Sequence, residues 1–157
     1  MNPSPKPLHN WPLDALPGLP AVLREQLQQL GILTTGDLVR RGQSADERLR
    51  LAQQLNSHPQ HVNKWTALAR LAMLPSVGPT YCGLLLHAGI SSPEQLALAH
   101  VQRLHQQLQR LHIKLLTQVK GCPGPALVQQ WIQEAQQWNM QRRQGNLGVN
   151  RDTKTSP

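Results

Sequence analysis

Leu74–Ala99 reads LPSVGPTYCGLLLHAGISSPEQLALA, and the organisation of the chain follows from it. Gly78 can take backbone angles that a side chain forbids. Pro79 suits the first turn of a helix, where its missing N–H costs nothing. That helix is expected to stop at His87-Ala88-Gly89, with Gly89 just past its end. Ile90 follows, and Ser91-Ser92-Pro93-Glu94 carries the capping chemistry of a second, short helix. Helix, glycine stop, apolar residue and capped helix make a helical hairpin.

The same plan occurs upstream in Leu16–Leu38. Leu16 and Leu74, Pro17 and Pro75, Leu27 and Leu85, Gly31 and Gly89, Ile32 and Ile90, and Leu38 and Leu96 are each 58 positions apart. Further on the offset is 66, relating Val62, Trp65 and Ala69 to Val128, Trp131 and Ala135. Self-similarity at a fixed offset marks a duplicated supersecondary unit. The eight residues gained by the second copy fall most simply in a longer helix around His100–Lys120.

Between these landmarks the apolar periodicity is helical. Val22, Leu23, Leu27 and Leu30 share one face, and a capped helix to about Arg41 follows Gly31. Ser44-Ala45-Asp46-Glu47 opens a third helix, and Val62, Trp65, Leu68 and Ala69 line a fourth. Val101, Leu104, Leu108, Leu111 and Leu115 form a continuous stripe. After Gly121-Cys122-Pro123-Gly124-Pro125, a last helix carries Leu127, Val128, Trp131, Ile132, Ala135 and Trp138. The expectation is an all-α fold of two tandem units, each of about four helices. Unit one spans 13–72 and unit two 73–140, packed as one body. A flexible proline-rich arm (1–12) precedes them and a disordered basic tail (141–157) follows.

Composition agrees with this. Among 157 residues, 39% are hydrophobic, 3% aromatic and none is Phe, so Leu and Ala must carry the core. Lys and Arg number 16 against 8 acids, a formal charge of +8 that favours an anionic partner. Outside 142–157 the balance is 12 against 7. The N-terminal residues hold no apolar run resembling a signal peptide, and no stretch matches a membrane span. The expected location is the cytoplasm.

Enzymatic chemistry has little to work with. The eight acids are scattered, with no paired carboxylates, nucleophile elbow or phosphate-cradling loop, so no catalytic residue and no cofactor is assigned. Seven His and two Cys show no metal-ligand spacing, so no metal site is assigned either. Cys82, between apolar residues, reads as a buried packing thiol, and Cys122 lies in a loop. Trp65 and Trp131, equivalent in the two copies, read as core anchors, while Trp11 could pin the arm to the body or to a partner.

Candidate binding residues fall into two groups. At the turns are Gly18 and Arg24 in the first copy, and Ser76 and Gly78 in the second. A glycine-lined turn admits a phosphate to free backbone N–H groups at a helix start. Pro20 and Pro79 delete one such donor each. The second group is Arg103, Arg110 and Lys114, which share a helix face, with Lys120 extending the run and no acid between Gln95 and Gly121. A phosphate backbone would bind there in a salt-dependent way. Arg40, Arg41, Arg48 and Arg50 form another basic cluster, partly cancelled by Asp46 and Glu47, and read as ordinary surface.

Taken together, Leu16-Pro17-Gly18 with Gly31-Ile32-Leu33-Thr34-Thr35, Val62-x-x-Trp65, Val77-Gly78-Pro79-Thr80-Tyr81 with Ala88-Gly89-Ile90, and Val128-x-x-Trp131-x-x-x-Ala135 resemble a mainly bacterial family. It is domain of unknown function four-three-three-two, whose members are tandem helix-hairpin-helix proteins. The resemblance covers about Leu13 to Trp138. It implies the all-helical architecture and no catalytic residues. Nucleic-acid binding is implied only by analogy with the hairpins of DNA-repair proteins. Two functions stay open: a non-enzymatic module binding the backbone of DNA or RNA, or a protein-interaction adaptor whose hairpins are only structural.

Overall fold

Two glycine stops set the architecture. At Gly31, with φ +82°, the Ile32 N–H donates to Leu27 O at 2.9 Å and the Gly31 N–H to Gln28 O at 3.0 Å. At Gly89, with φ +89°, the Ile90 and Gly89 N–H groups donate to Leu85 O and Leu86 O, both at 3.0 Å. Each is a Schellman closure, which satisfies the last carbonyls of one helix while turning the chain for the next. The left-handed backbone it requires is open to glycine without the penalty a Cβ would bring. Beyond each stop Thr34 and Ser92 cap the following helix through their side-chain oxygens, accepting the N–H groups of Asp37 and Gln95.

The computed structural model describes residues 8–115 and 122–154, with side chains over 8–111 and 122–142. A 3-10 turn at Leu13–Ala15 precedes eight α-helices among the described residues: α1 Ala21–Gln29, α2 Thr35–Arg41, α3 Ala45–Gln54, α4 Pro59–Ala72, α5 Gly78–His87, α6 Pro93–Ala97, α7 Val101–Leu115 and α8 Pro125–Lys154. The protein is all-α. None of the described helices is long and apolar enough to cross a membrane.

Helices α2 and α3 pack on α4, and α6 and α7 pack on α8, so the pairings repeat along with the caps. Between them α4 lies against α5. Leucines fill the interior: Leu13, Leu27, Leu38, Leu71, Leu74, Leu85, Leu96 and Leu108 are all fully buried. Each contributes about 2 kcal/mol by leaving water. Trp131 is fully buried and Trp65 nearly so, at equivalent places on α8 and α4, as the core-anchor reading requires. Tyr81 packs against Trp131 with ring centroids 5.1 Å apart.

The described part of the arm, 8–12, has no helix, yet it is docked. His9 N–H donates to Met73 O at 2.9 Å, and Trp11 Nε1 to Ala72 O at 2.9 Å. The Trp11 backbone also makes two bonds with Thr35, which donates its N–H to Trp11 O at 2.8 Å and accepts the Trp11 N–H on its side-chain Oγ1 at 3.0 Å. The arm therefore ties the start of α2 to the end of α4. At the other terminus the backbone of α8 runs on from Met140 to Lys154, through the stretch expected as a tail. No apolar repeat continues there, but no proline interrupts it either.

Candidate nucleic-acid interface

The second hairpin turn is built from Leu74 to Gly78. Leu74 O accepts two N–H groups, from Val77 and from Gly78, both at 3.1 Å. Gly78 has φ +57°, and a Cβ there would lie 3.8 Å from Trp11 Cζ2. The docked arm thus covers Gly78, which is buried.

Ser76 is clasped by α8. Its N–H donates to Glu134 Oε1 at 2.8 Å and its hydroxyl to Glu134 Oε2 at 2.6 Å. Its carbonyl accepts Trp131 Nε1–H at 3.0 Å. Glu134 is 7% exposed and also lies 3.4 Å from Gln130 Nε2. A carboxylate therefore already holds the donors that a phosphate would use at this turn. A second anion 4 Å away would be repelled by about 4 kcal/mol at an effective dielectric constant of 20.

Sequence reasoning did not single out Glu134. Its signal was present: a lone acid three residues after Trp131 and four before Trp138, on the apolar side of a Gln-rich helix. At the offset of 66 its counterpart is Leu68, and the counterpart of Ser76 is Gly18, so the first hairpin has no such clasp. Gly18 is exposed with φ +74°, and Trp65 lies 4.0 Å from where its Cβ would be. Arg24 is half-buried on α1, one turn on from Pro20, whose carbonyl accepts the Arg24 N–H at 3.0 Å.

Helix α7 buries Leu104 and Leu108 and leaves Arg103 and Arg110 exposed. The backbone position of Lys114 lies one turn beyond Arg110 on the same helix, while Lys120 falls outside the described residues. The structure puts Ser76 and Gly78 in one turn, Gly18 in the other with Arg24 on the helix that follows it, and Arg103 and Arg110 on one helix. Among the described side chains, the one holding Ser76 is Glu134, and neither Arg103 nor Arg110 hydrogen-bonds to that turn. Also among the described residues, no three His, Cys, Asp or Glu side chains come together as metal ligands would.

A protein-family model, described as Domain of unknown function (DUF4332), matches residues 17–138, so the chain belongs to that family. No curated protein and no solved structure matches the chain.

Proposed function

We propose that this DUF4332 member is a non-enzymatic module of two tandem helix-hairpin-helix units that binds nucleic-acid backbone without sequence preference, along the outer face of α7. The observation that carries this reading is that Arg103 and Arg110 are exposed on a helix free of acids. The family and the all-helical fold agree with a hairpin module, and the repeated Schellman stops and helix pairings support two units. In this reading the second hairpin does not take part, because Glu134 fills the place of the phosphate.

That same clasp favours a second reading, a protein-interaction adaptor. A hairpin tied shut to α8 works as a joint, leaving the surface to a protein partner. Fluorescence-anisotropy titration of duplex and single-stranded DNA at two salt concentrations separates the two. Backbone binding predicts affinity that falls steeply with salt and is shared among unrelated sequences. Absence of binding at low salt would leave the adaptor.

A further inference from the structure

A groove of about 650 Å³ opens between the α2–α3 corner, α4, the start of α6 and α8. Its volume suits a small ligand. Three arginines line it, Arg48, Arg70 and Arg142, and among the described residues no acid does. Far apart in sequence, they meet only because α4 and α8 each carry one to the groove and α3 supplies the third.

All three guanidinium groups are held in place. Arg48 donates from Nε to Asn63 Oδ1 at 2.8 Å and from Nη1 to Gly42 O at 2.9 Å. Gly42 makes room for it, since a Cβ there would lie 3.1 Å from Arg48 Cγ and 3.1 Å from Thr66 Oγ1. Arg70 pairs with Glu94, and its Cζ lies 6.0 Å from the centroid of the Trp138 ring. Arg142 reaches the same Glu94 oxygen at 2.6 Å. Glu94 does not itself line the groove, so one carboxylate anchors two guanidinium groups from outside it. Their other N–H groups remain for a ligand, because a guanidinium carries five.

A second observation is independent of charge. Trp138 also lines the groove and is 8% exposed, yet its Nε1–H is buried without a hydrogen-bond partner among the described residues. Buried donors are nearly always paired. An acceptor would reach it only by a shift of the ring, since the nitrogen itself has no exposed surface.

We infer that this groove is a binding site for a phosphate monoester, with Arg48, Arg70 and Arg142 as the cationic contacts and Ser92 as a hydroxyl neighbour. The three guanidinium groups outnumber the carboxylates beside them, Glu94 and the Glu47 that holds Gln43 N–H, so the groove keeps an excess of positive charge that favours an anion. Forked guanidinium donors match phosphate oxygens in geometry. The ester has two possible sources, a free nucleotide-sized molecule or the phosphorylated end of a nucleic-acid strand.

The test is calorimetric titration at constant ionic strength with AMP and with adenosine, then with one short oligonucleotide carrying either a 5′-phosphate or a 5′-hydroxyl. The site predicts saturable binding of AMP, none of adenosine, and a loss of about tenfold in each of Arg48→Gln and Arg142→Gln. Arg142 is exposed and Arg48 half-buried, and circular dichroism checks that both variants fold. Arg103→Gln/Arg110→Gln, on α7, should bind AMP as the wild type does, which keeps this site distinct from the α7 face. Preference for the 5′-phosphorylated strand over AMP assigns the source to a nucleic-acid end, and the reverse to a small molecule. The inference is overturned if neither phosphorylated probe binds, if Arg48→Gln and Arg142→Gln bind unchanged, or if the α7 variant loses AMP.

Discussion

Ser76 gives both of its donors to Glu134, its N–H to one carboxylate oxygen and its hydroxyl to the other. The link ties the second hairpin to α8 across a separation of 58 residues. Glu134→Ala leaves two half-buried donors without their acceptor and should cost about 1–2 kcal/mol. Ser76→Gly with Glu134→Leu rebuilds the arrangement of the first half, Gly18 with Leu68. The double variant should be more stable than the sum of the single losses predicts, by about 1 kcal/mol. Urea denaturation of the four proteins measures this, and strict additivity would show that the two residues do not act as a pair.

Trp11 should stabilise the body although it precedes the first helix. Trp11→Phe removes the bond to Ala72 O and should cost about 1 kcal/mol. Trp11→Ala also exposes the surface around Gly78 and should cost roughly twice as much, short of the values seen for fully buried tryptophans. Thermal denaturation checks both. An unchanged midpoint in Trp11→Ala would mean that the arm is not docked in solution.

Asp37 should make stability depend on pH. The Leu33 N–H is the chief cause holding its carboxyl below the usual range; partial burial opposes this, and Arg40 and Thr34 reinforce it. The native state therefore binds fewer protons than the unfolded chain near the unfolded Asp value of about 3.9. The contribution of Asp37 is complete above that value and is lost as pH falls through the lower native one. The stability gap between wild type and Asp37→Asn should be constant near neutrality and shrink below about pH 4. A gap that stays constant into strong acid would contradict this.

The two thiols should differ in reactivity. Burial pushes Cys82 up to about 11, against a smaller opposing effect of hydrogen bonds from the Gly83 and Cys82 backbone. Cys122 is half-exposed, and its thiol is raised by burial alone. Because the thiolate is the nucleophile, a maleimide at neutral pH should label Cys122 first and Cys82 only on unfolding. Mass spectrometry of the labelled peptides reads the order, and prompt labelling of Cys82 would contradict its burial.

The helical order was legible because it rests on local chemistry. Gly31 and Gly89 stop helices through bonds spanning a few residues, and Thr34 and Ser92 cap through their own side chains. Leu27, Leu85 and the paired Trp65 and Trp131 declared the core by periodicity. What stayed hidden depends on partners distant in sequence. Nothing near Ser76 announces Glu134, and nothing near Trp11 announces Ala72. Arg48 read as surface beside Asp46 and Glu47, yet its guanidinium is anchored to Asn63 and Gly42. Composition records its charge but not the groove that the charge faces.

The most direct test of the account compares where DNA is held. The slope of log affinity against log salt concentration is measured for the wild type, Arg103→Gln/Arg110→Gln and Glu134→Gln. Binding along α7 predicts a slope shallower by roughly 2 in the arginine variant, about 0.9 for each cation lost, with weaker binding throughout. Glu134→Gln, which neutralises the clasp on Ser76, should leave affinity and slope as they are. The opposite pattern, tighter binding in Glu134→Gln and none of the loss in Arg103→Gln/Arg110→Gln, would place the phosphate at the second hairpin and contradict the account.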